Sequence, residues 1–438
     1  MLALENSLIY AVCEIERNGC RIDVEKLERW RKEIRTEYER RVLDLYRLTG
    51  LRMDVGSGES ILKLCAHLGI RPPASKQKCQ GCEHQYVYHE FCGPCPKCGK
   101  LQKQTFRTYE ENELLSLKHP TMNIVVDARR HASLLSKFLD KYHDGVEGDM
   151  LRSQFHQLKT DNEGNAKGAI SGRFSASGGG GEDNGFSFNA QQVIKTKLQC
   201  DTMGDHHIIR ELFIPDDGCK FFSADASQIE YRLAVHQANA EQIISVYKKN
   251  AQADYHQLVM DHIIKYKPTF NDRTITKNVN FAYVFGAQAK RLAKTAGIKI
   301  EEAEELLQIC TDIFPEAPLT LKKLSYQAEH QGFVSTIFGR RARFGLGYDL
   351  RFYAALNRCI QGSAADIFKV TLKALYDERK SIGIHKLRQV VHDEFDGDCL
   401  PDEQTKQRLL DFLNQQRVDT KVPIIWNLET GTTWKDCH

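Results

Sequence analysis

Along the first fifty residues the apolar positions recur at spacings of three and four. In VEKLERWRKEIRTEYERRVLDLYRL they fall at Leu27, Trp30, Ile34, Tyr38, Val42 and Leu45, one face of a helix with 3.6 residues per turn. The spacing predicts one long amphipathic helix, with Arg and Glu three and four apart lacing its solvated side. A second helical run, ESILKLCAHLGI, ends at RPPASK, where proline cannot continue it. Helical spacing returns between 110 and 160, in ENELLSL and ARRHASLLSKFLDKY, and SGGGGEDNG at 177–185 predicts a flexible loop. Beyond it, CKFFSADASQIEYRLAVHQA reads as a short apolar strand opening into a helix. Helices then dominate until LRQVVHDEFDGD brings the second clear strand signal. The organisation is a helical first third, then a mixed section split in sequence, with a helical insert between its halves.

The second strand ends in a crowd of acids: Asp393, Glu394, Asp396 and Asp398 lie within six positions. Two carboxylates ~4 Å apart repel by about 4 kcal/mol at an effective dielectric near 20, so a cluster held beside apolar neighbours calls for a cation. An exposed acidic hairpin turn is the simpler reading of this segment alone.

Composition narrows the class. At 438 residues, 41% hydrophobic and 27% charged, the chain is globular, with material for roughly two to four domains. A net charge of +3 decides nothing about nucleic acid, because such binding works through local basic patches. No apolar run approaches the ~18 residues of a membrane span, and MLALENSLIYAVCEIERNG lacks a basic region followed by an apolar one. A soluble, intracellular protein is expected, with no membrane partner.

Of 14 cysteines, Cys79, Cys82, Cys92, Cys95 and Cys98 fall in one segment and nine are scattered. The clustering points to a metal site rather than a disulfide framework. In CQGCEHQYVYHEFCGPCPKCG the best tetrad is Cys79, Cys82, Cys95 and Cys98, two CxxC pairs able to close tetrahedrally on zinc, with Gly81 and Gly99 relieving the knuckle backbone. Cys92, His84 and His89 are rival ligands. Such a site is structural: an apparent ~10 to 16 kcal/mol of binding can order a loop with almost no core.

Three further segments carry chemistry. FFSADASQIEYRLA puts Asp225 at a strand end, where a carboxylate can project into a cleft, and Ser227 with Glu230 matches the S-x-x-E capping box. In NDRTITKNVNFAYVFGAQ, Arg273, Lys277, Phe281 and Phe285 recur every four positions. Cations near a helix N-terminus are opposed by the macrodipole, so a polyphosphate gripped there, with the aromatics stacking on a base, accounts for them better than helix stability does. An ordinary amphipathic helix remains the other reading, more for Phe285 than for the cations. LNRCIQGSAADIF places Asn357 and Gln361 one turn apart, as carboxamides able to donate to the minor-groove acceptors common to every base pair.

These segments stand in an order that resembles the polymerase portion of family A DNA polymerases, the group of bacterial DNA polymerase I and many bacteriophage replicases. DASQIEYR is similar to that family's motif A, RTITKNVNFAYVFG to motif B and VVHDE to motif C. SGRFSAS, FGRRARF, NRCIQGSAAD and the closing ETGTTW match family segments in register, and ENSLIYAVCEIERNGCRID resembles the start of the thumb. The resemblance implies an α+β, right-hand polymerase fold with an antiparallel palm sheet, helical fingers and a helical thumb. It places the thumb at 1–170 with a zinc-binding insertion at 76–104, the palm at 171–240 and 346–438, and the fingers at 241–345.

It also implies roles. The reaction is DNA-directed DNA synthesis, a nucleotidyl transfer of deoxynucleotides onto a primer 3′ end. Asp225 and Asp393 would bind two Mg2+ ions, with Ala226 lending a carbonyl and Glu394 supporting the site. Arg273, Lys277 and His256 would grip the triphosphate, Phe281 would pack on the nucleotide, and Glu230 would exclude a 2′ hydroxyl. Gln228, Arg173, Asn357 and Gln361 would follow the minor groove and primer-template, and His392 the primer terminus.

Departures from the family pattern carry their own expectations. Editing in cis is not expected, since no exonuclease region precedes residue 1. Phe285 stands where the family usually has Tyr, and the zinc segment replaces a short thumb-tip stretch, predicting contact with DNA backbone or a processivity partner. Primer-template DNA and dNTPs are the expected partners, with a separate exonuclease, helicase or processivity factor beside them. The cytoplasm is the expected location, that of a bacterial host if the chain is viral. The rival readings are an RNA-synthesising relative, which a bulky Glu230 opposes, and a non-catalytic nucleic-acid-binding protein, which the full set of metal and phosphate ligands opposes.

Overall fold

The computed structural model describes residues 2–88, 94–101, 107–158, 168–178, 187–195, 208–268, 272–345 and 350–437. The chain divides into two units: Met1–Arg21, Met150–Val193 and Phe213–His438 form one, Ile22–Asp149 and Ile194–Leu212 the other.

At the heart of the first unit is a four-stranded antiparallel sheet of β1 (Lys220–Ala226), β2 (Ile384–Val391), β3 (Glu394–Cys399) and β4 (Trp426–Gly431), in the order β2-β3-β1-β4. Alternation sorts its side chains onto two faces. Phe222, Ala224, Phe395 and Trp426 share the face covered by a 24-residue helix, Ala355–Glu378, whose Phe368 stacks on Phe395 at 4.0 Å. Phe395 in turn stacks on Trp426 at 4.9 Å. Truncating Phe395 to alanine would cost about 3–5 kcal/mol. Phe221, Asp225, Glu394, Asp396 and Asp398 share the other face, where Trp434 packs edge-on against Phe213 at 5.3 Å.

This second covered face overturns the reading of the acids as an exposed turn. Asp396 and Asp398 are both 0% exposed. Asp396 accepts from Gln389 Nε2 at 3.0 Å; Asp398 accepts from Arg388 Nε at 3.0 Å and Nη2 at 2.5 Å, and from the Asp216 amide at 3.1 Å. Burial raises the Asp398 carboxyl although Arg388 pulls it down. β3 runs through Gly397, where a Cβ would lie 2.3 Å from Lys386 O and 2.8 Å from the Phe222 ring. The glycine permits the close approach.

Helices α1 (Ile229–Ala238), α2 (Tyr255–Tyr266) and α3 (Arg273–Val284) follow β1, and further helices occupy Ala289–Ala296, Ile300–Ile313 and Glu316–Gln331. A short hairpin, Phe333–Ser335 with Arg341–Arg343, interrupts the stretch expected to be helical. Three-residue strands are too short to show alternation.

In the second unit the long helix spans Val24–Thr49. Asp23 caps it by accepting from the Lys26 amide at 2.8 Å, and Gly50 ends it in the left-handed region at φ 68°. Leu27, Trp30, Ile34 and Leu45 are buried, while Tyr38 and Val42 are half-buried. The second helix, Gly58–His67, starts at Ser57, and its Ile61, Leu64 and Cys65 join Val125, Val126 and Tyr109 in one core. The helical stretch expected to reach 160 stops with Asp140–Gly145, and β-strands Met150–Leu151 and Gln154–His156, which belong to the first unit, follow. Gly148, at φ 66°, turns the chain between them. Of the glycine-rich loop, 179–185 lies outside the described residues. Among the described residues no helix is long and apolar enough to cross a membrane.

Candidate active site and four-cysteine cluster

Strands β2 and β3 are joined by a two-residue turn, His392-Asp393, closed by the Val391–Glu394 pair. His392 takes φ 57°, a left-handed conformation that costs a non-glycine residue roughly 1–2 kcal/mol. The tight turn leaves Asp393 half-exposed at its tip and His392 exposed beside it. Because β1 runs antiparallel to β3, Asp225 sits opposite Glu394, and the Ala226 amide donates to Asp393 O at 3.2 Å. Asp225 and Asp393 therefore share one end of the sheet, Asp225 exposed to solvent. Glu394 is 4% exposed, and its Oε1 accepts from the Trp434 indole at 3.2 Å.

Two accessible carboxylates on neighbouring strand ends, beside the Ala226 carbonyl, suit a hard divalent cation that takes the rest of its oxygen shell from water and substrate phosphate. Glu394, by contrast, is buried and accepts from the Trp434 indole.

After Asp225 the chain bends sharply. The Ser227 amide donates to Ile425 O at 2.8 Å, Gln228 lies at φ 50°, and α1 begins at Ile229 with no side-chain cap. The S-x-x-E capping box does not form, because the helix starts two residues beyond Ser227. Glu230 instead accepts from Arg173 Nη2 at 2.7 Å. Arg232, unforeseen from sequence, holds the bend: it donates to the carbonyls of Ser227, Pro423 and Ala251 at 3.0, 2.8 and 2.8 Å. Its guanidinium also lies 4.5 Å from the Tyr247 ring.

Helix α3 carries the every-fourth-residue series. Asp272 caps it by accepting from the Ile275 amide at 2.8 Å. Arg273 is ion-paired with Asp254, and Lys277, one turn on, is exposed and pairs with no carboxylate among the described residues. Phe281 and Phe285 stack at 6.2 Å, and Phe281 lies 5.7 Å from the ring of His256. His256 is 3% exposed, and burial pulls it down to about 4. It is neutral near pH 7. Asn280 Nδ2 donates to His256 Nδ1 at 3.0 Å, leaving the ring proton on Nε2, while the Cys310 thiol donates to Asn280 Oδ1 at 3.6 Å.

A cleft of about 460 Å³ is lined by Phe281, Phe285, Arg291, Tyr353, Asn357 and Gln361. Asn357 Oδ1 is buried there without a hydrogen-bond partner among the described residues. The two carboxamides and two aromatics singled out in the sequence thus meet in one space. Asp254 was missed; its one sequence signal is an Asp just ahead of a helix, the pattern of an N-cap.

In the second unit, Cys79, Cys82, Cys95 and Cys98 bring their sulfurs within 4.8 Å of one another. Cys79 and Cys98 are 3.6 Å apart, Cys82 and Cys95 3.7 Å. A tetrahedral ion with ligands at about 2.3 Å would separate its sulfurs by about 3.8 Å, so the set fits. Two knuckles build it with one hydrogen-bond pattern. The Cys79 amide donates to His84 O and the Glu83 amide to Cys79 O; the Cys95 amide donates to Lys100 O and the Gly99 amide to Cys95 O. Glu83 at φ 58° and Gly99 at φ 68° are the matching left-handed positions. Gly99 relieves its knuckle as expected; in the first knuckle the strained residue is Glu83, not Gly81. The antiparallel strands Ser75–Lys78 and Gln85–Tyr88 flank that knuckle. His84 stacks on Tyr86, and Cys92 and His89 lie outside the described residues.

An antiparallel sheet with paired acids at one end, beside a helix bearing cations and aromatics, defines the polymerase class of fold. The structure is similar to the POL domain of Pol1 from M. smegmatis in complex with DNA primer-template and dNTP. The TM-score is 0.73 at 23% identity, covering 99% of this chain and 70% of that one. Residues 85–436 match DNA polymerase family A, and the chain belongs to that family. It is 26% identical over 407 residues to the thermostable DNA polymerase I of Thermus filiformis, covering 89% of this chain and 42% of the relative. With DNA polymerase I of Chloroflexus aurantiacus the identity is 27% over 457 residues, covering 99% and 43%. With that of Borreliella burgdorferi it is 31% over 242 residues, covering 52% and 26%. The chain spans less than half the length of these curated relatives.

Proposed function

We propose that this chain is a template-directed DNA polymerase of the bacterial and bacteriophage type, adding deoxynucleotides to a primer 3′ end. The observation that carries the reading is the link between its acid and cation elements. Gln228, three residues after Asp225, donates to Asp254 at 3.1 Å, and Asp254 pairs with Arg273. Carboxylates for metal and cations for phosphate are thereby tied into one site.

Asp225, Asp393 and the Ala226 carbonyl would hold two Mg2+ ions, whose chemistry when bound would be to activate a hydroxyl and neutralise phosphate charge. Arg273 and Lys277 hold the phosphates, and neutral His256 donates from Nε2. Phe281 packs on the incoming base, while Glu394 steadies the turn from the side and His392 faces the primer terminus. Asn357 and Gln361 monitor the minor groove from the cleft, where Phe285 contributes a ring without a hydroxyl. Arg173 pins Glu230, and a pinned carboxylate is a firm wall against a 2′ hydroxyl. Residues 171–240 and 346–438 make the palm, 241–345 the fingers and 1–170 the thumb region. This work belongs in a cytoplasm supplied with DNA and dNTPs.

The four-cysteine cluster takes Zn2+ as a structural ion. Its knuckles expose Lys76, Lys78, Lys97 and Lys100 against Glu83, a basic surface suited to DNA phosphates.

Primer extension on a defined template with Mg2+ and dNTPs, beside Asp225→Asn and Asp393→Asn, tests the reading. Wild type extending no better than these variants overturns it. Glu230→Ala is expected to raise ribonucleotide incorporation about 10- to 200-fold; an unchanged preference removes the gate.

A further inference from the structure

Resting on the reading of Arg273 as a phosphate-gripping cation, we propose that Asp254 is its internal counter-ion, occupying Arg273 until the phosphates of a nucleotide displace it. Arg273 is the first residue of α3, where the macrodipole opposes a cation and a nearby anion relieves it. Asp272 already caps that helix end, and the anion that meets the guanidinium itself is Asp254. It caps α2, Oδ1 accepting from the amides of His256 at 2.9 Å and Gln257 at 3.3 Å, so the side chain is fixed before Arg273 arrives. Oδ1 also accepts from Gln228 Nε2 at 3.1 Å, and Gln228 Oε1 takes the Tyr255 amide at 3.3 Å, a reciprocal clasp. Oδ2 is left for Arg273.

The pair is made to exchange. The Arg273 side chain is 56% exposed and that of Asp254 32%, the range in which an ion pair is weak. One carboxylate meets the guanidinium at one nitrogen, whereas a triphosphate brings several charges and also reaches Lys277. When phosphate takes Arg273, Asp254 keeps its cap and its hold on Gln228, so release of the cation leaves the bend after Asp225 in place. The carboxylate thus sets a threshold that a weakly charged anion fails and a polyphosphate passes.

Asp254→Asn isolates the charge, because asparagine caps a helix as well as aspartate and still offers Gln228 an oxygen. The probe is inorganic tripolyphosphate, its Kd measured by calorimetry at low ionic strength, alongside KM and kcat for dNTP on a primer-template. Expected are a Kd and a KM about two- to fivefold lower in Asp254→Asn, with kcat not raised. Asp254→Ser, a second capping variant, is expected to follow it. Damage to the fold would weaken binding, so the gain separates a counter-ion from a scaffold. Unchanged or weaker tripolyphosphate binding in Asp254→Asn, while Arg273→Ala loses affinity normally, overturns the counter-ion alone. If Arg273→Ala leaves tripolyphosphate binding intact, the phosphate-gripping reading fails and the proposal with it.

Discussion

Glu394 lies directly across the antiparallel ladder from Asp225, yet the two carboxylates meet different surroundings. Asp225 is exposed at the end of β1, whereas Glu394 is 4% exposed and accepts a hydrogen bond from the Trp434 indole. Glu394→Gln keeps an acceptor for that indole and should lower the rate about 10- to 100-fold, the scale of a supporting residue around a metal. Asp225→Asn should lower it further. Single-turnover extension rates check this; equal losses would give Glu394 the same standing as Asp225.

Asp398 is sealed beneath the sheet with Arg388, both about 1% exposed or less at the side chain. Asp398→Ala leaves a buried guanidinium with less compensation and should destabilise the protein by about 3–5 kcal/mol. A solvated acid would shift it by no more than about 0.5 kcal/mol. Urea denaturation separates the two.

Burial holds His256 down to about 4, from an ordinary 6.5. Between those values the unfolded chain binds a proton that the folded chain refuses, so this group's contribution to stability is full above pH 6.5. It is lost as pH falls from 6.5 toward 4. Stability measured across that range should flatten in His256→Gln, and the His256 ring should titrate by NMR near pH 4. A midpoint near 6.5 would mean that burial does not hold the ring down.

The knuckle geometry leads to about one zinc per chain by metal analysis, lost in Cys95→Ser. A chelator should expose 75–88 and 94–101 to proteolysis, because a metal-held loop has little core to fall back on. Full metal retention in Cys95→Ser would point to another ligand.

What could be read without coordinates was local. The stripe of Leu27, Trp30, Ile34 and Leu45 is set by helical period, the CxxC pairs by the reach of a knuckle, and β1 by a run of apolar residues. Each depends on neighbours within a few positions. The order of the motifs added the family, and through it the residues of the site.

Partnership was decided only by tertiary structure. The S-x-x-E pattern promised a cap, but the bend at Gln228 started the helix late and Glu230 found Arg173, 57 residues away. Glu394, Asp396 and Asp398 share one face by alternation, as any strand would have them. Whether that face meets water depended on Trp434 arriving over it, while Gln389 and Arg388, across the hairpin on β2, take up Asp396 and Asp398. The sequence itself determined which side chains point together, since backbone periodicity is a local property. The fold decided which of them are covered, paired or left facing solvent, since burial and charge pairing depend on which segments are brought together, from the two arms of one hairpin to Trp434 near the far end of the chain.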